Sequence, residues 1–377
     1  MDALQDLFTR ILPNTSKREG FAFLIHPRDM SDVYINYPFL KRFPDKIISK
    51  LLTFFWPITV SEVVYKNQVK GWIISCPLTA EQMMKGRKLA KKSIIQAAKL
   101  AEKKGASIIG LGALTASFSR GGLDLKPHIK AKITTGRLYT AKIVTDTTVD
   151  ILSVLKVEKE KVEISIVGAA GSIGSACAQI LAKRGFRKFN LVDLSSKSAR
   201  INSTIQYMNK VGNSIQITQS ESLESIKNSD VIIAATNKPD ALITSSHLKQ
   251  GAIVIDDAQP SDVSPHIIQN RRDVLVLEGG VVNTKEVSHN ASFGLKHKGD
   301  IFSCLAEVII LACSKNADEL YSIGEIVEVD FAVLANLEKR SLELGFKRGE
   351  FQNFSKVYSK NDIEHVKDII HRQYTDT

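Results

Sequence analysis

Short apolar runs and helical periodicities alternate regularly along the middle of the chain. The predicted strands are 162–167, 188–192, 214–218, 230–235, 252–256 and 274–277. The predicted helices are 172–184, 196–210, 221–228 and 244–249. Strands buried on both faces are almost continuously apolar, as 231–235 and 252–255 are here. The pattern therefore predicts an α/β protein with a doubly wound parallel sheet.

The segments on either side differ from this centre. An apolar strand at 72–76, an amphipathic helix at 85–104 and a strand at 106–112 predict an N-terminal α/β unit, with a further helix from Thr134 to about Leu155, capped by threonines. The last part is predicted to be mostly helical, with a loose polar end from about 362 onward. The predicted domains are an α/β substrate domain (1–160), the doubly wound domain (161–285) and a C-terminal helical region (286–377).

A glycine-rich turn follows the first central strand. Residues 168–174 read Gly-Ala-Ala-Gly-Ser-Ile-Gly and lead directly into the first helix. Glycines let the backbone approach a pyrophosphate, and a helix start offers unpaired N–H groups and a positive dipole end. Ala169 takes the first position of the usual G-x-G-x-x-G, yet the strand before and the helix after favour a dinucleotide site over an ordinary glycine turn. We predict a Rossmann-type domain that binds NAD(P)H.

Polar residues at neighbouring strand ends are candidates for holding the rest of the cofactor. Asp193 ends the second strand, where an acid accepts hydrogen bonds from the adenosine ribose and favours NAD(H); a helix cap is the structural alternative. Ser195, Lys197 and Arg200 follow and are able to hold a phosphate instead. Residues 236–239 end the fourth strand, near the expected nicotinamide. The predicted cofactor-binding residues are Gly168, Ala169, Ala170, Gly171, Ser172, Ile173, Gly174, Asp193, Ser195, Thr236, Asn237, Gly279 and Gly280.

The chain is basic, with a formal net charge of +11. Such a balance favours acidic partners. Residues 85–104 carry eight basic side chains and one acid on a helix, which is equally typical of a solvated face and of a docking surface. The four cysteines are far apart and match neither a zinc spacing nor a disulfide framework. With no basic, apolar leader at the start, the sequence predicts a reduced, cytoplasmic protein without a bound metal.

Cys304 is the cysteine with a candidate chemical role. It follows Asp300, which is placed to cap the next helix, so that Cys304 falls in the first helical turn. A thiol there feels the positive dipole end, and its pKa is expected to fall from about 8.5 toward that of a reactive nucleophile. A buried structural cysteine is the commoner role on spacing alone.

Taken together, the motifs resemble those of the long-chain fatty acyl-[acyl-carrier-protein] reductases of alkane biosynthesis. The resemblance extends over roughly residues 20–345. The motifs that carry it are 74–78 (Ile-Ser-Cys-Pro-Leu), 111–117, 134–136 with 140–141, 168–174, 278–282 and 302–307. The family's NADPH-using members carry a basic residue just after the second strand, where this chain has Leu194, so the preferred nicotinamide stays open.

The resemblance implies an NAD(P)H-dependent reduction of an acyl thioester to a fatty aldehyde. Cys304 would attack the thioester, and hydride would reduce the acyl-enzyme to a thiohemiacetal that releases the aldehyde, with backbone N–H groups near Gly279 and Gly280 as oxyanion donors. The implied partners are acyl carrier protein or acyl-CoA and an aldehyde-consuming enzyme. The basic helix suits an acidic carrier, and peripheral membrane contact is compatible with the charge. The residues suggested to line an acyl tunnel are Leu51, Leu52, Phe54, Phe55 and Trp56.

Two other functions fit the same pattern. Dehydrogenases of the shikimate or methylene-tetrahydrofolate type also place a substrate domain before a Rossmann domain; they transfer hydride directly, use a Lys/Asp or Lys/Tyr pair and need no cysteine. A non-catalytic NAD-dependent binding protein is the other alternative. Nucleic acid is not an expected partner, because the basic helix lacks interleaved aromatic residues. Candidate proton donors are Tyr139, Lys142 and His297.

Overall fold

A mixed six-stranded sheet forms the first layer of the molecule. The computed structural model describes residue 6 and residues 19–238, 241–314 and 328–375. The strand order is β13-β2-β3-β1-β4-β5, with β1 central and parallel to β3 and β4. The strands are β1 (Gly20–Ile25), β2 (Ile58–Tyr65), β3 (Val69–Ser75), β4 (Ala106–Leu111), β5 (Lys132–Thr134) and β13 (Val287–His289).

Helices cover this sheet and connect its strands. They are α1 (Met30–Asn36), α2 (Asp45–Leu52), α3 (Ala80–Lys85), α4 (Arg87–Lys103), α5 (Leu114–Ser117) and α6 (Arg137–Leu155). The predicted amphipathic basic helix is α4, whose alanines and Ile94 are buried while its lysines face outward. Helix α6 is buried along most of its length because it lies between the two sheets and packs against α7 and α10.

The second sheet is fully parallel, and its strand order is 3-2-1-4-5-6 in chain order. Its strands are β6 (Glu163–Val167), β7 (Lys188–Val192), β8 (Gln216–Ser220), β9 (Val231–Ala234), β10 (Ile253–Asp256) and β11 (Leu275–Glu278). Its helices are α7 (Ser172–Lys183), α8 (Ser198–Val211) and α9 (Pro265–Asn270). The order reverses between β6 and β9, which is the point where open α/β sheets bind their ligands. The predicted Rossmann-type, doubly wound sheet is therefore confirmed.

The last part of the chain holds more strands than expected. A three-stranded antiparallel sheet joins β14 (Asp300–Phe302), β12 (Val281–Asn283) and β15 (Lys347–Arg348), and β13 returns to the edge of the first sheet. These strands have two or three residues, too few for an alternating pattern to show. The helices here are α10 (Ser303–Ala312), α11 (Phe331–Glu343) and α12 (Lys360–Thr375).

Three local predictions need correction. Residues expected to form helices at 221–228 and 244–249 make only short 3-10 turns, Leu223–Ile226 and Ser245–His247, because segments this short gain too few hydrogen bonds to sustain an α-helix. The end of the chain is not loose: α12 begins at Lys360 and buries Ile363, Val366 and Ile370. The predicted domain boundaries stay a prediction.

One continuous core links the two large sheets. It contains residues from the first sheet such as Phe21 and Ile73, from the second such as Ile164 and Ile253, and from α10 such as Ile309. Burial of apolar surface on this scale is what fixes the two sheets relative to one another. Within the described ranges, no helix is long and apolar enough to cross a membrane.

Candidate active site

The glycine turn has the geometry of a dinucleotide cradle. Gly168 lies in the left-handed region with φ +88°, and a Cβ there would lie 2.5 Å from the carbonyl oxygen of Ala235. A Cβ at Gly174 would overlap the carbonyl oxygen of Gly168. The turn thus needs glycine at both positions, and α7 starts directly under it with no side-chain cap at Gly171. The backbone at the helix start is therefore left to a ligand, as a pyrophosphate requires.

Asp193 reaches back from the end of β7 to this turn. Its Oδ2 accepts a hydrogen bond from the Ala170 N–H at 2.9 Å, its Oδ1 accepts one from Leu194 N–H at 2.8 Å, and Lys197 Nζ lies 2.9 Å away. Ser195 begins the neighbouring 3-10 turn. Asp193 therefore lies against the glycine turn, and its predicted contact with the adenosine ribose stays a prediction.

The end of β9 is held in place by a second carboxyl group. Asp262 accepts hydrogen bonds from Thr236 N–H at 3.0 Å and from Thr236 Oγ1 at 2.5 Å. Thr236 and Asn237 both border the main cavity, on the same edge as the glycine turn. Of the predicted segment 236–239, Pro239 lies outside the described residues.

A cavity of about 240 Å³ lies between the carboxyl ends of the two sheets. From the Rossmann side it is lined by the glycine turn and the ends of β9, β10 and β11, and from the other side by the ends of β1 and β4 and the start of α6. Its polar and titratable lining residues include His26, Arg28, Asp32, Arg137, Thr140, Thr236, Asn237, Asp257, Gln259, Glu278, Ser303 and Cys304.

Two buried acids face this cavity. Asp257 follows β10 and Glu278 ends β11. Burial raises the pKa of both carboxyl groups well above the ordinary value, and the charge of Asp256 raises both further. This shift favours the protonated form of each group, which is able to donate a proton.

Two arginines lie in the same cavity. Arg28 forms a bidentate ion pair with Asp32, through Nε at 2.9 Å and Nη2 at 2.8 Å, and its charge lowers the pKa of Glu278. Arg137 begins α6 and is only 8% exposed. Burial lowers the pKa of Arg137, and the nearby charge of Glu307 partly offsets this effect. A guanidinium keeps its charge even so, so that two positively charged groups line the cavity.

His26 is not a proton donor to the cavity. Its Nδ1 donates to the carbonyl of Pro27 at 2.8 Å, and its Nε2 accepts from Leu114 N–H at 3.2 Å. Both ring nitrogens are therefore engaged, and burial lowers the pKa of this histidine, so it stays neutral.

Cys304 lines the cavity, but it is not the activated thiol that the sequence suggested. Helix α10 begins at Ser303 with Phe302 as its N-cap, while Asp300 lies in β14 and accepts from Asn283 Nδ2 at 2.7 Å and Gln352 Nε2 at 2.6 Å. Burial, and then the charge of Asp257, raises the pKa of Cys304 to about 12. The predicted cap is wrong, and the expected lowering of the pKa is wrong too, because burial outweighs the helix dipole.

The other predicted residues either have a packing role or lie outside the cavity lining. Gly280 borders the cavity, but a Cβ there would lie 2.5 Å from Asp257 Oδ1 and 2.9 Å from Ser303 Oγ, so this glycine serves the close approach of β11 and α10. Gly279 packs against Val144. In the part of the chain that the structure describes, the cavity lining contains none of the three suggested proton donors, Tyr139, Lys142 and His297.

The suggested acyl tunnel is not formed by the residues proposed for it. Leu52 is buried in a small core with Val33 and Ile48. Leu51, Phe54, Phe55 and Trp56 are exposed, and the described lining of the main cavity includes none of them.

Sequence reasoning missed the residues most suited to acid–base chemistry. Asp257 and Asp32 were passed over, Arg28 and Arg137 were not singled out, and Glu278 was noted only as part of a motif. For Asp257 a signal existed, since an acid directly after an apolar parallel strand lies at the ligand edge of the sheet. Glu278 gives the same signal, because it ends the apolar parallel strand β11. Arg28 comes from the loop after β1, Asp32 from α1 and Arg137 from α6, and only the packing of the two sheets brings them there.

Fold and site together define the class: a Rossmann-domain protein with a nicotinamide-dinucleotide cleft between two sheets. The comparisons agree with this class. The model of the Shikimate / quinate 5-dehydrogenase family matches residues 152–277. The predicted nicotinamide cofactor, NAD(P)H, is confirmed at this level, and so is the oxidoreductase class.

One curated relative is named for a different activity. "Aminotransferase PigE" from Serratia sp. is 25% identical over 263 residues, which cover 69% of this chain. The match spans only 30% of the length of that relative.

The solved structures that resemble this chain are distant. An Entamoeba histolytica malic enzyme covers 96% of this chain and 78% of its own at 10% identity, with a TM-score of 0.40. A Thermotoga maritima NAD-dependent malic enzyme covers 90% of this chain and 87% of its own at 13% identity, with a TM-score of 0.41. An iminosuccinate reductase of Paracoccus denitrificans in complex with NAD+ covers 38% of this chain and 44% of its own, at 16% identity and a TM-score of 0.29. At these values they carry no argument about substrate.

The resemblance to fatty acyl-[acyl-carrier-protein] reductases is therefore wrong, and so is the function of thioester reduction that it implied. The matched family is one of dehydrogenases, and the curated relative is not named as an acyl reductase. The motifs that suggested the resemblance have structural roles here. Residues 74–76 belong to a buried strand and its end, and the Thr-Thr-Gly turn lets Gly136 pack against Cys304.

Proposed function

We propose that this protein is an NAD(P)-dependent dehydrogenase that transfers a hydride directly between the nicotinamide and a small anionic carbonyl or hydroxyl compound. The observation that carries the proposal is the cavity in which the dinucleotide turn meets two acids, Asp257 and Glu278, whose pKa is raised. The residues fit the cofactor, because the cradle leaves room only for glycine and the start of α7 lacks a side-chain cap. The bound nicotinamide would supply or accept the hydride.

Glu278 is the proposed proton donor. When a carbonyl carbon takes the hydride, its oxygen needs one proton, and the Glu278 carboxyl group supplies it and becomes a carboxylate. The adjacent Arg28, fixed by Asp32, stabilises the charge that forms. In the opposite direction, the carboxylate takes the proton from the substrate hydroxyl. The Lys/Asp or Lys/Tyr pair expected for this class of dehydrogenase has no counterpart in the described cavity lining, which contains no lysine or tyrosine.

The charge of the cavity supports an anionic substrate. Two guanidinium groups, those of Arg28 and Arg137, line the cavity beside Asp257 and Glu278, whose raised pKa favours the uncharged form. A carboxylate is the small group that best matches a buried guanidinium. Shikimate and quinate, the compounds in the name of the matched family, are hydroxylated carboxylates and belong to this class.

The test follows nicotinamide absorbance with purified protein, both nicotinamides, and a panel of shikimate, quinate, 2-hydroxy acids and their oxo forms. Replacing Glu278 with Gln is expected to lower kcat about 10²- to 10⁴-fold, the usual worth of a general acid. The reduction rate of the native protein is expected to fall as pH rises through the raised pKa of Glu278, and this dependence should disappear in the variant.

Cys304→Ala distinguishes direct transfer from a covalent route. Direct hydride transfer needs no nucleophile, so this variant should keep turnover within about tenfold of the native protein. If Cys304→Ala is inactive while Glu278→Gln keeps native turnover, the proposed mechanism is wrong.

A further inference from the structure

An exposed apolar surface lies on the segment of the chain that connects β1 to β2. Its side chains come from α1, α2, the 3-10 turn between them and the loop before β2. We call it the α1–α2 face, and its apolar residues are Ile35, Phe39, Phe43, Ile47, Leu51, Phe54, Phe55 and Trp56, exposed by 44% to 71%.

These side chains are not needed for the core beneath them. The small core of this segment is made by Val33, Ile48 and Leu52, so α2 carries apolar residues on its outer side as well as its inner one. Isolated exposed apolar residues are ordinary, but large exposed patches mark interaction surfaces. Eight of them within 22 residues call for a partner.

The elements that carry these side chains are tied to one another. Tyr34 donates a hydrogen bond to Asp45, which ties α1 to α2. Gln82 Nε2 donates to the Ser49 carbonyl at 2.6 Å, which ties α2 to α3. Residues 53–56 share a surface depression with Leu89 and Lys92 of the basic helix α4.

Basic side chains surround the apolar ones. Between residues 38 and 56 the exposed charged residues are Lys41, Arg42, Lys46 and Lys50, with Asp45 as the single acid in that described segment. Helix α4 extends the positive rim with Arg87, Lys88, Lys91 and Lys92, which are exposed.

We propose that the α1–α2 face docks on an anionic lipid bilayer. Aromatic and aliphatic side chains surrounded by lysines are typical of segments that insert shallowly into the interface, and each basic residue near the surface adds attraction to anionic headgroups. A second copy of the chain fits less well, since it would bring a second positive rim against the first. The proposal does not depend on the chemistry of the cleft, although Asp32 and Ile35 of α1 also line that cavity.

The experiment uses the full chain and sedimentation with phosphatidylcholine vesicles, with and without phosphatidylglycerol. Binding is expected with phosphatidylglycerol, and it should weaken as salt rises. The triple variant Phe54→Ser, Phe55→Ser, Trp56→Ser should bind at least roughly tenfold more weakly. Leu342→Ser is the matched control, because Leu342 is 62% exposed on α11, outside the face.

Two further measurements keep the test decisive. The charge variant Lys46→Glu, Lys50→Glu should lose the preference for phosphatidylglycerol. If the triple variant does not fold, this charge variant tests the proposal in its place. In a Trp72→Phe background, the fluorescence of Trp56 should shift to shorter wavelength when vesicles are added, as the indole leaves water.

Lack of sedimentation at low salt overturns the proposal, as does equal binding by the triple variant and Leu342→Ser. A concentration-dependent dimer that the triple variant abolishes assigns the face to a second copy instead. Turnover measured without lipid is unaffected by these outcomes, so the proposed dehydrogenase function stands or fails separately.

Discussion

At the residue scale, we propose that one carboxylate, that of Asp193, governs the choice of nicotinamide. Asp193 lies against the turn and holds Lys197 at 2.9 Å. A 2′-phosphate on the adenosine ribose would meet the negative charge of Asp193, while a ribose hydroxyl would donate to it. The preference for NAD(H) that Asp193 suggests stays a prediction, and Lys197 and Arg200 lie close to it in the chain.

Asp193→Ser should shift the preference toward NADP(H). The change removes the negative charge and frees Lys197 to contact a phosphate, so the ratio of kcat/KM for NADPH to that for NADH should rise roughly tenfold or more. Steady-state kinetics with both cofactors measure it. Glu224→Ser, which removes an exposed acid away from the turn, should leave the ratio unchanged, and an unchanged ratio in Asp193→Ser would contradict the assignment.

Cys304 shows what a residue's sequence context leaves undetermined. Its place in the first turn of a helix was predicted correctly, and a helix dipole does favour a thiolate. The same residue is buried beside Asp257, and both influences oppose the thiolate more strongly. A pKa depends on neighbours from other elements, which a motif does not contain.

At the element scale, the first turns of α6 and α10 contact each other and form one wall of the cavity. Thr140 and Ser303 hydroxyls are 2.8 Å apart, and Glu307 of α10 accepts a hydrogen bond from Tyr139 N–H at 2.9 Å, in the first turn of α6. Gly136 precedes α6 with φ +71° and packs on Cys304. The threonines expected to cap α6 do not do so; the buried carboxyl group of Glu307 takes that role.

Gly136→Ala should reduce the free energy of unfolding by at least ~2 kcal/mol. Alanine is strained in the left-handed backbone conformation of this position, and its Cβ would overlap the Cβ of Cys304. Backbone strain and overpacking therefore both lower the stability. Gly345→Ala is the control, since its φ is +84° but its nearest neighbour would be the Glu286 Cγ at 3.7 Å. Urea unfolding of both variants isolates the cost of the close approach; equal losses would mean that the contact matters little.

Prediction of elements succeeded where the pattern was long and failed where it was short. The strands of the parallel sheet and the helices α4, α6 and α7 follow from runs of apolar residues or from helical periodicity. The small sheet was missed because its strands are not neighbours along the chain. Val281 of β12 pairs with Phe302 of β14, and Val282 pairs with Arg348 of β15. Pairing at such distance leaves no local signal.

At the scale of the whole molecule, stability and function share a cluster of buried acids. Burial, and then the charge of Asp262, raises the pKa of Asp256 to about 7, and burial raises that of Asp262 to about 6. Asp256 accepts from Ala258 N–H at 3.1 Å, and Asp262 orients Thr236 at the cofactor edge. These acids position the backbone and Thr236 at the cofactor edge, although their burial costs stability once they ionise.

The native protein should become less stable as pH rises from about 4 to about 7. Between the ordinary carboxyl pKa and the raised pKa in the fold, the native state binds more protons than the unfolded state, so the free energy of unfolding falls with pH. Asp256→Asn should flatten part of this fall, because the other acids with a raised pKa, Asp257, Asp262, Glu278 and Glu307, contribute the remainder. Urea unfolding across this pH range measures the slope.

The matched control is Asp362→Asn. The hydrogen bond from Lys356 holds the pKa of Asp362 at about 2, so this acid stays ionised throughout and its loss should leave the slope unchanged. A native protein whose stability rises over the same range would contradict the assignment.

The sequence by itself determined the parallel Rossmann-type sheet, the glycine turn and the position of Asp193, because each depends on residues that are neighbours along the chain. Only the tertiary structure decided the chemistry of the cleft. Arg28 and Arg137 come from the loop after β1 and from α6, and the ends of β10 and β11 bring Asp257 and Glu278 to the same space. Burial in that space sets which of these groups hold a proton, and burial is a property of the packed molecule.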